Sequence, residues 1–285
     1  MKKYNFYPTL LDCFQSYLNS SEVWLEYWGN SEEPSKTEEE YEAECYRKLI
    51  DKINRVPMAW EDSEAADRGT AFNAVIDLML NRDILNEVVK TDTINTTPVF
   101  NQIVYGQVDN CEPDERWAEI ETTDEVIAIK AYYNKRQFIF PISLCKEFST
   151  YFNGATPQVF CEATLETSKG MVNIYGYIDE LMPNSIHDIK TTGKYKAGKF
   201  KNNWQHIIYP YCLHENGSPE MLFEYNVALL KETKMGLMYE TFTESYNYRH
   251  ERDKARLIGI CEQFIDFIEE PNNRFLITDE KIFNK

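Results

Sequence analysis

Three strand-length runs follow one another between residues 157 and 191, at about 157–167, 171–182 and 185–191, with almost no chain between them. Runs of that length, bounded by turn residues, read as β-strands. Met182-Pro183-Asn184-Ser185 is the turn signal between the second and the third. Residues 125–134 (EVIAIKAYYN) and 136–142 (RQFIFPI) read as two further strands, and 143–153 as a helix capped by Ser143. After the triplet come a helix at about 199–215, a strand at 224–231, another at 236–244, and a long helix at about 247–269. The first part of the chain keeps helical spacing instead. Leu10, Leu11, Phe14 and Leu18 mark a helix over 8–19, a second covers about 37–54, and Phe72, Val75, Ile76 and Met79 mark a third from about 63 to 81. The expected class is α/β (α+β), a central mixed sheet flanked by helices with a helical N-terminal region.

A chain of 285 residues, 43% hydrophobic and with only 11 Gly and 11 Pro, suits one large domain with an extensive core. The expected layout is a helical extension over 1–62, a core over 63–245, and a C-terminal helix over 246–285. The start lacks the apolar run of a signal peptide, and nowhere do eighteen apolar residues stand together, so no membrane span is expected. The seven cysteines, at 13, 45, 111, 145, 161, 212 and 261, form no CxxC pair. They read as reduced thiols of a cytoplasmic protein, with neither a disulfide framework nor a zinc ribbon.

The net charge of −17 runs against a nucleic-acid binder, whose affinity comes largely from phosphate contacts. The charge is segregated, however. Residues 31–44 hold seven Glu and one Lys and read as the solvated start of a helix, with Pro34 and Ser35 at its N-terminal end. Residues 190–201 hold Lys190, Lys194, Lys196, Lys199 and Lys201 and no acid.

The chemistry-bearing segment is residues 175–192, YGYIDELMPNSIHDIKTT. Asp188 and Lys190 are two apart, so on a strand they share a face. Asp179 joins them if the hairpin loop has an even length or a bulge intervenes; a two-residue loop at Asn184-Ser185 would set it opposite Lys190. Two close carboxylates repel unless a divalent cation lies between them, and Mg²⁺ or Mn²⁺ prefers such oxygens. A phosphodiester oxygen can share that cation, with Lys190 orienting a water and offsetting charge on the phosphate. Alone, Asp188 and Lys190 would be a surface ion pair of little worth, but Ile186 and Ile189 make the strand at least half buried. No GxxxxGK[ST] loop, HExxH site or GxSxG elbow is present, and the four histidines are too few and too dispersed for a His-based metal centre.

Gly176-Tyr-Ile-Asp179, the short turn, and His187-Asp-Ile-Lys-Thr191 resemble the second and third motifs of the RecB-like, phage-exonuclease branch of PD-(D/E)XK nucleases. Gln205 and Tyr209 match that branch's Gln and Tyr one helical turn apart, and Arg68-Gly-Thr-Ala-Phe-Asn73 resembles the opening of its upstream helix, with Asn73 where the branch has His. The resemblance covers roughly residues 63–230. It implies a restriction-endonuclease-like core and a Mg²⁺- or Mn²⁺-dependent nuclease, acting on DNA in recombination, repair or phage replication. Asp179 and Asp188 would bind the metal, with the Ile189 carbonyl and Asn73 as further ligands. Lys190 and Gln205 would serve catalysis, and Lys194, Lys196, Lys199, Lys201 and Tyr209 would contact DNA. Asp77, one turn beyond Asn73, could reach the site, and Glu162 and Glu166 stand in reserve. An annealing or recombination protein as partner and a homo-oligomer are compatible with this reading. A retained fold that binds nucleic acid or protein without cutting is the alternative.

Overall fold

A computed structural model describes residues 2–81, 84–85, 87–103, 121–233 and 236–283; Cys111 lies outside them. Ten strands and eight α-helices are placed among these residues. The main sheet is mixed, in the order β1 (Lys3–Phe6), β7 (Gly170–Met182), β8 (Ser185–Thr192), β9 (Leu222–Thr233) and β10 (Gly236–Asn247), with β6 (Thr156–Thr167) also on β7. β8 and β9 run parallel, and helix α6 (Gln205–Glu215) makes the crossover between them. A parallel pair needs such a crossover, which is why the polar stretch after β8 is long. A second sheet, the antiparallel meander β2 (Val89–Lys90), β3 (Asn95–Ile103), β4 (Glu121–Tyr133) and β5 (Arg136–Pro141), was not anticipated; the sequence read as only two strands there.

Two apolar clusters set the layers. One face of the main sheet packs Ile174, Ile178, Ile186, Tyr225 and Val227 against α1 (Pro8–Leu18), α3 (Glu38–Ile53), α6 and α7 (His250–Glu269). The other face packs Ile189, Ala228 and Leu230 against α4 (Glu64–Asn81), α5 (Ile142–Tyr151) and the second sheet. β8 is thus covered on both sides, which accounts for its unbroken run of buried residues from Ile186 to Ile189.

Several sequence expectations shift for local reasons. The acidic helix starts after Thr37 instead of Pro34-Ser35. The Thr37 hydroxyl accepts from the Glu40 amide at 3.2 Å and the Glu40 carboxylate accepts from the Thr37 amide at 2.9 Å, a full capping box. Ser143 lies inside α5, which follows Pro141 without a side-chain cap. The helix read from 199 begins at Gln205, because the amides of Lys199, Lys201 and Asn203 close successive turns onto the carbonyls of Lys196, Gly198 and Phe200. The N-terminal region is more than a helical extension: β1 pairs in parallel with Met171–Ile174. It also carries α2 (Ser20–Trp28), and α8 (Pro271–Leu276) follows α7. Among the described residues no helix is long and apolar enough to cross a membrane.

Candidate active site

A discontinuity in the ladder of β7 creates the site. One edge of β7 is taken by β6 along almost its full length. The other edge is shared: β1 holds Met171–Ile174 and β8 holds Glu180–Met182. Residues 175–179 therefore face a gap between two neighbours. The hairpin turn is Pro183-Asn184, one residue earlier than the sequence suggested, with Met182 opposite Ser185. Continued past Glu180 and His187, that register sets Asp179 level with Asp188, not with Lys190. The alternation of faces also slips here: Ile178 and Leu181, three apart, join the same apolar cluster. On β6, Gln158 stands at the unpaired place opposite Asp179 and adopts a φ of 53°, a left-handed conformation uncommon for a side-chain-bearing residue.

Asp179 turns its carboxylate into this gap. Its Oδ2 accepts from the Ile189 amide at 2.9 Å and from the Asn73 side-chain amide, on α4, at 3.1 Å. From β8, Asp188 and Lys190 point toward α6. Lys190 Nζ lies 2.7 Å from Asp188 Oδ2 and donates to Gln205 Oε1 at 2.8 Å, while Gln205 Nε2 donates to Asp188 Oδ1. Gln205 is the first residue of α6, so the helix start fixes the amide that bridges the pair. Asp188 is 2% exposed, whereas the Lys190 side chain keeps 25% exposure and provides the opening to solvent.

The electrostatics follow from crowding. Burial, and then the Asp188 charge, push Asp179 up to about 8, and burial raises Asp188 as well. Burial opposes the charge on Lys190, but the surrounding carboxylates, Asp188 first and then Asp179 and Asp12, together outweigh it, so its pKa is raised and it stays cationic. With Asp12 included, three carboxylates face one ammonium. Such an excess of hard oxygen donors suits Mg²⁺ or Mn²⁺. Asn73 Oδ1 is buried without a donor among the described residues, which suits it to serve as an additional oxygen ligand.

Not every anticipated residue belongs to this constellation. Tyr209, expected to contact DNA, is 5% exposed and packs beneath the site; a Cβ added at Gly176 would lie 2.7 Å from its ring. The Gly of GYID and the Tyr of α6 are thus two halves of one contact. Glu162 and Glu166 project from the exposed face of β6, opposite Tyr175 and Met171, away from the position facing Asp179. Lys194, Lys196, Lys199 and Lys201 are exposed on the segment after β8, but Lys199 donates to Thr192 at 2.6 Å and Lys196 pairs with Glu26 at 3.3 Å. His187, although beside Asp188, faces the opposite side, held by Ser185 and Asn226 at 2.7 and 3.0 Å.

Two acidic residues escaped notice in the sequence. Asp12, on α1, accepts from the Trp204 amide at 2.6 Å, and burial pushes it up to about 7 near Lys190 and Asp188. Glu180 is 0% exposed, and neither of its oxygens has a donor among the described residues. Asp77 faces it from α4 and also contacts Gln158. Burial and the Asp77 charge push Glu180 up to about 9, so the pair keeps a proton at neutral pH. Strand alternation was the available signal for Glu180: with Ile174, Gly176 and Ile178 buried, an acid two residues on breaks the pattern.

No protein-family profile matches the chain. No curated protein matches it. Among solved structures it is similar to one titled "Crystal structure of SSO0001", at 14% identity and a TM-score of 0.30, over 46% of this chain and 58% of that one.

Proposed function

We propose that this chain is a divalent-metal-dependent deoxyribonuclease of the PD-(D/E)XK superfamily, RecB-like branch, acting on DNA ends as an exonuclease. The observation that carries the reading is the convergence of Asp179, Asp188, Lys190 and Gln205 at the gap between β7 and β8. Isolated D-x-K triplets on exposed strands have no reason to recruit a buried Gln from a crossover helix.

Asp179, Asp188, Asn73 and the Ile189 carbonyl would hold Mg²⁺ or Mn²⁺. When bound, the cation supplies a Lewis acid for the phosphodiester and a more acidic water. The chain's own groups do the remaining work. The Ile189 and Asn73 amides fix the rotamer of Asp179, and Gln205 fixes Asp188 relative to Lys190. The Lys190 ammonium, largely shielded from water, is placed to steady charge building on the phosphate oxygens. Lys194 and Lys201, exposed just beyond the catalytic strand, are suited to the phosphates of the incoming strand.

One observation favours the non-cutting alternative: Asn73 presents its NH₂ to Asp179, acting as a donor to the carboxylate. Linear DNA incubated with protein and Mn²⁺ separates the readings. Progressive loss from the ends, reduced roughly 10²- to 10³-fold in Lys190→Ala and abolished in Asp188→Ala, is expected. DNA left equally intact by all three proteins, across metals and end types, rejects the nuclease assignment. Discrete fragments from circular DNA would make it an endonuclease.

A further inference from the structure

The histidines, dispersed in sequence, are not all dispersed in space. His214 and Glu215 are the last two residues of α6, and His250 opens α7. Their imidazoles stack with centroids 4.0 Å apart and planes 23° apart. One ring nitrogen of each and one Glu215 carboxylate oxygen lie mutually within 4.8 Å. From these residues we infer a second, surface metal site that takes a borderline transition ion, Zn²⁺ in the first instance, through His214, Glu215 and His250. It does not depend on the nuclease reading.

The donor chemistry selects the ion. Two imidazoles and one carboxylate are a set that zinc uses, with water in the fourth position, whereas Mg²⁺ and Ca²⁺ take oxygens. With bonds near 2.0–2.1 Å, neighbouring ligand atoms of a tetrahedral site stand about 3.3 Å apart. His250 Nε2 and Glu215 Oε1 are already 3.5 Å apart. The wider separations close by rotation of Glu215, which is exposed, and of His214, which is half-buried and turns out of its stack with His250, since the in-plane lone pairs of two stacked rings do not meet at one ion.

The surroundings hold His250 for this task. The Tyr248 hydroxyl sits 3.1 Å from His250 Nδ1, fixing the ring and leaving Nε2 toward Glu215. An outer partner of this kind accompanies most metal-bound histidines. The C-terminal end of α6 adds its partial negative charge. Lys254, 3.1 Å from Glu215 Oε1, occupies the place of positive charge and is the group a cation would displace. Glu220 is engaged by the His250 amide and Arg249 at 2.7 and 3.0 Å, so it serves as nearby charge, not as a ligand. Filled, the site would clip the far end of α6, whose first residue is Gln205, to the start of α7.

The test uses the full chain, stripped with EDTA and returned to buffer with excess Mg²⁺ to saturate oxygen-only sites. Zn²⁺ is then partitioned between the protein and a chromophoric chelator. One Zn²⁺ per chain at micromolar affinity or better is expected, unchanged in Asp188→Asn, with thermal stability raised by zinc. Affinity should fall at least tenfold in His214→Asn and His250→Gln, and about tenfold in Tyr248→Phe. Circular dichroism without zinc checks that each variant is folded. Absent zinc binding, or equal affinity in wild type and the three variants, overturns the site.

Discussion

The Asp179 carboxylate takes two donors on a single oxygen, and among the described residues its other oxygen is uncommitted. That asymmetry gives the residue its expected behaviour. Asn73→Ala removes one donor, frees the carboxylate to rotate, and should weaken Mn²⁺ binding about tenfold, read by calorimetry. Lys190→Met keeps the packed stem and removes the charge. It should lower DNA cleavage roughly 10²-fold or more while Mn²⁺ still binds, because both carboxylates remain. Loss of cation binding in Lys190→Met would mean that the ammonium organises the carboxylates, not the phosphate. The Asp188–Lys190–Gln205 contacts were readable from spacing and motif resemblance, since each pair is local or one crossover apart. Asp12 was not, because only the docking of α1 against the start of α6 brings it there.

At the level of elements, the hairpin of β7 and β8 was legible because its turn residues and alternation agree. Its register was off by one, since Pro183-Asn184 and Asn184-Ser185 are equally plausible two-residue turns. β1 was illegible for a different reason: four residues, KYNF, carry no pattern of their own and become a strand only by pairing with a segment about 168 residues away, Lys3 with Met171. α2 follows α1 directly through Asn19, so no break announced it. Gly176→Ala tests the tightest element contact. The new methyl would drive into the Tyr209 ring, and a loss of about 1–3 kcal/mol in urea unfolding is expected. Thr37→Ala, which dismantles the capping box of α3, should cost about 1 kcal/mol and leave the site untouched.

Across the whole molecule, acidity is distributed unevenly between water and core. Most of the −17 charge is solvated, but Asp179 and Glu180 are raised to about 8 and about 9. A carboxyl whose pKa is raised by folding holds its proton in the native state where the unfolded chain has lost it. Stability is then fully present below the ordinary carboxylate range and declines as pH rises through the native values. In EDTA, urea midpoints should fall between about pH 5 and pH 9, and the slope should flatten in Glu180→Gln. Added Mn²⁺ should reverse the trend, since ligation requires the deprotonated groups and so strengthens with pH. A flat profile in EDTA would show that these carboxylates are better hydrated than their burial suggests.

The interrupted edge of β7 has one more consequence. Where an ordinary ladder would give the Ile189 amide a main-chain partner, it has a titrating carboxylate instead. That single proton is therefore a native spectroscopic probe. Its nuclear magnetic resonance frequency should follow the ionisation of Asp179 and shift again on cation loading, giving an occupancy readout with no label attached and no substrate present.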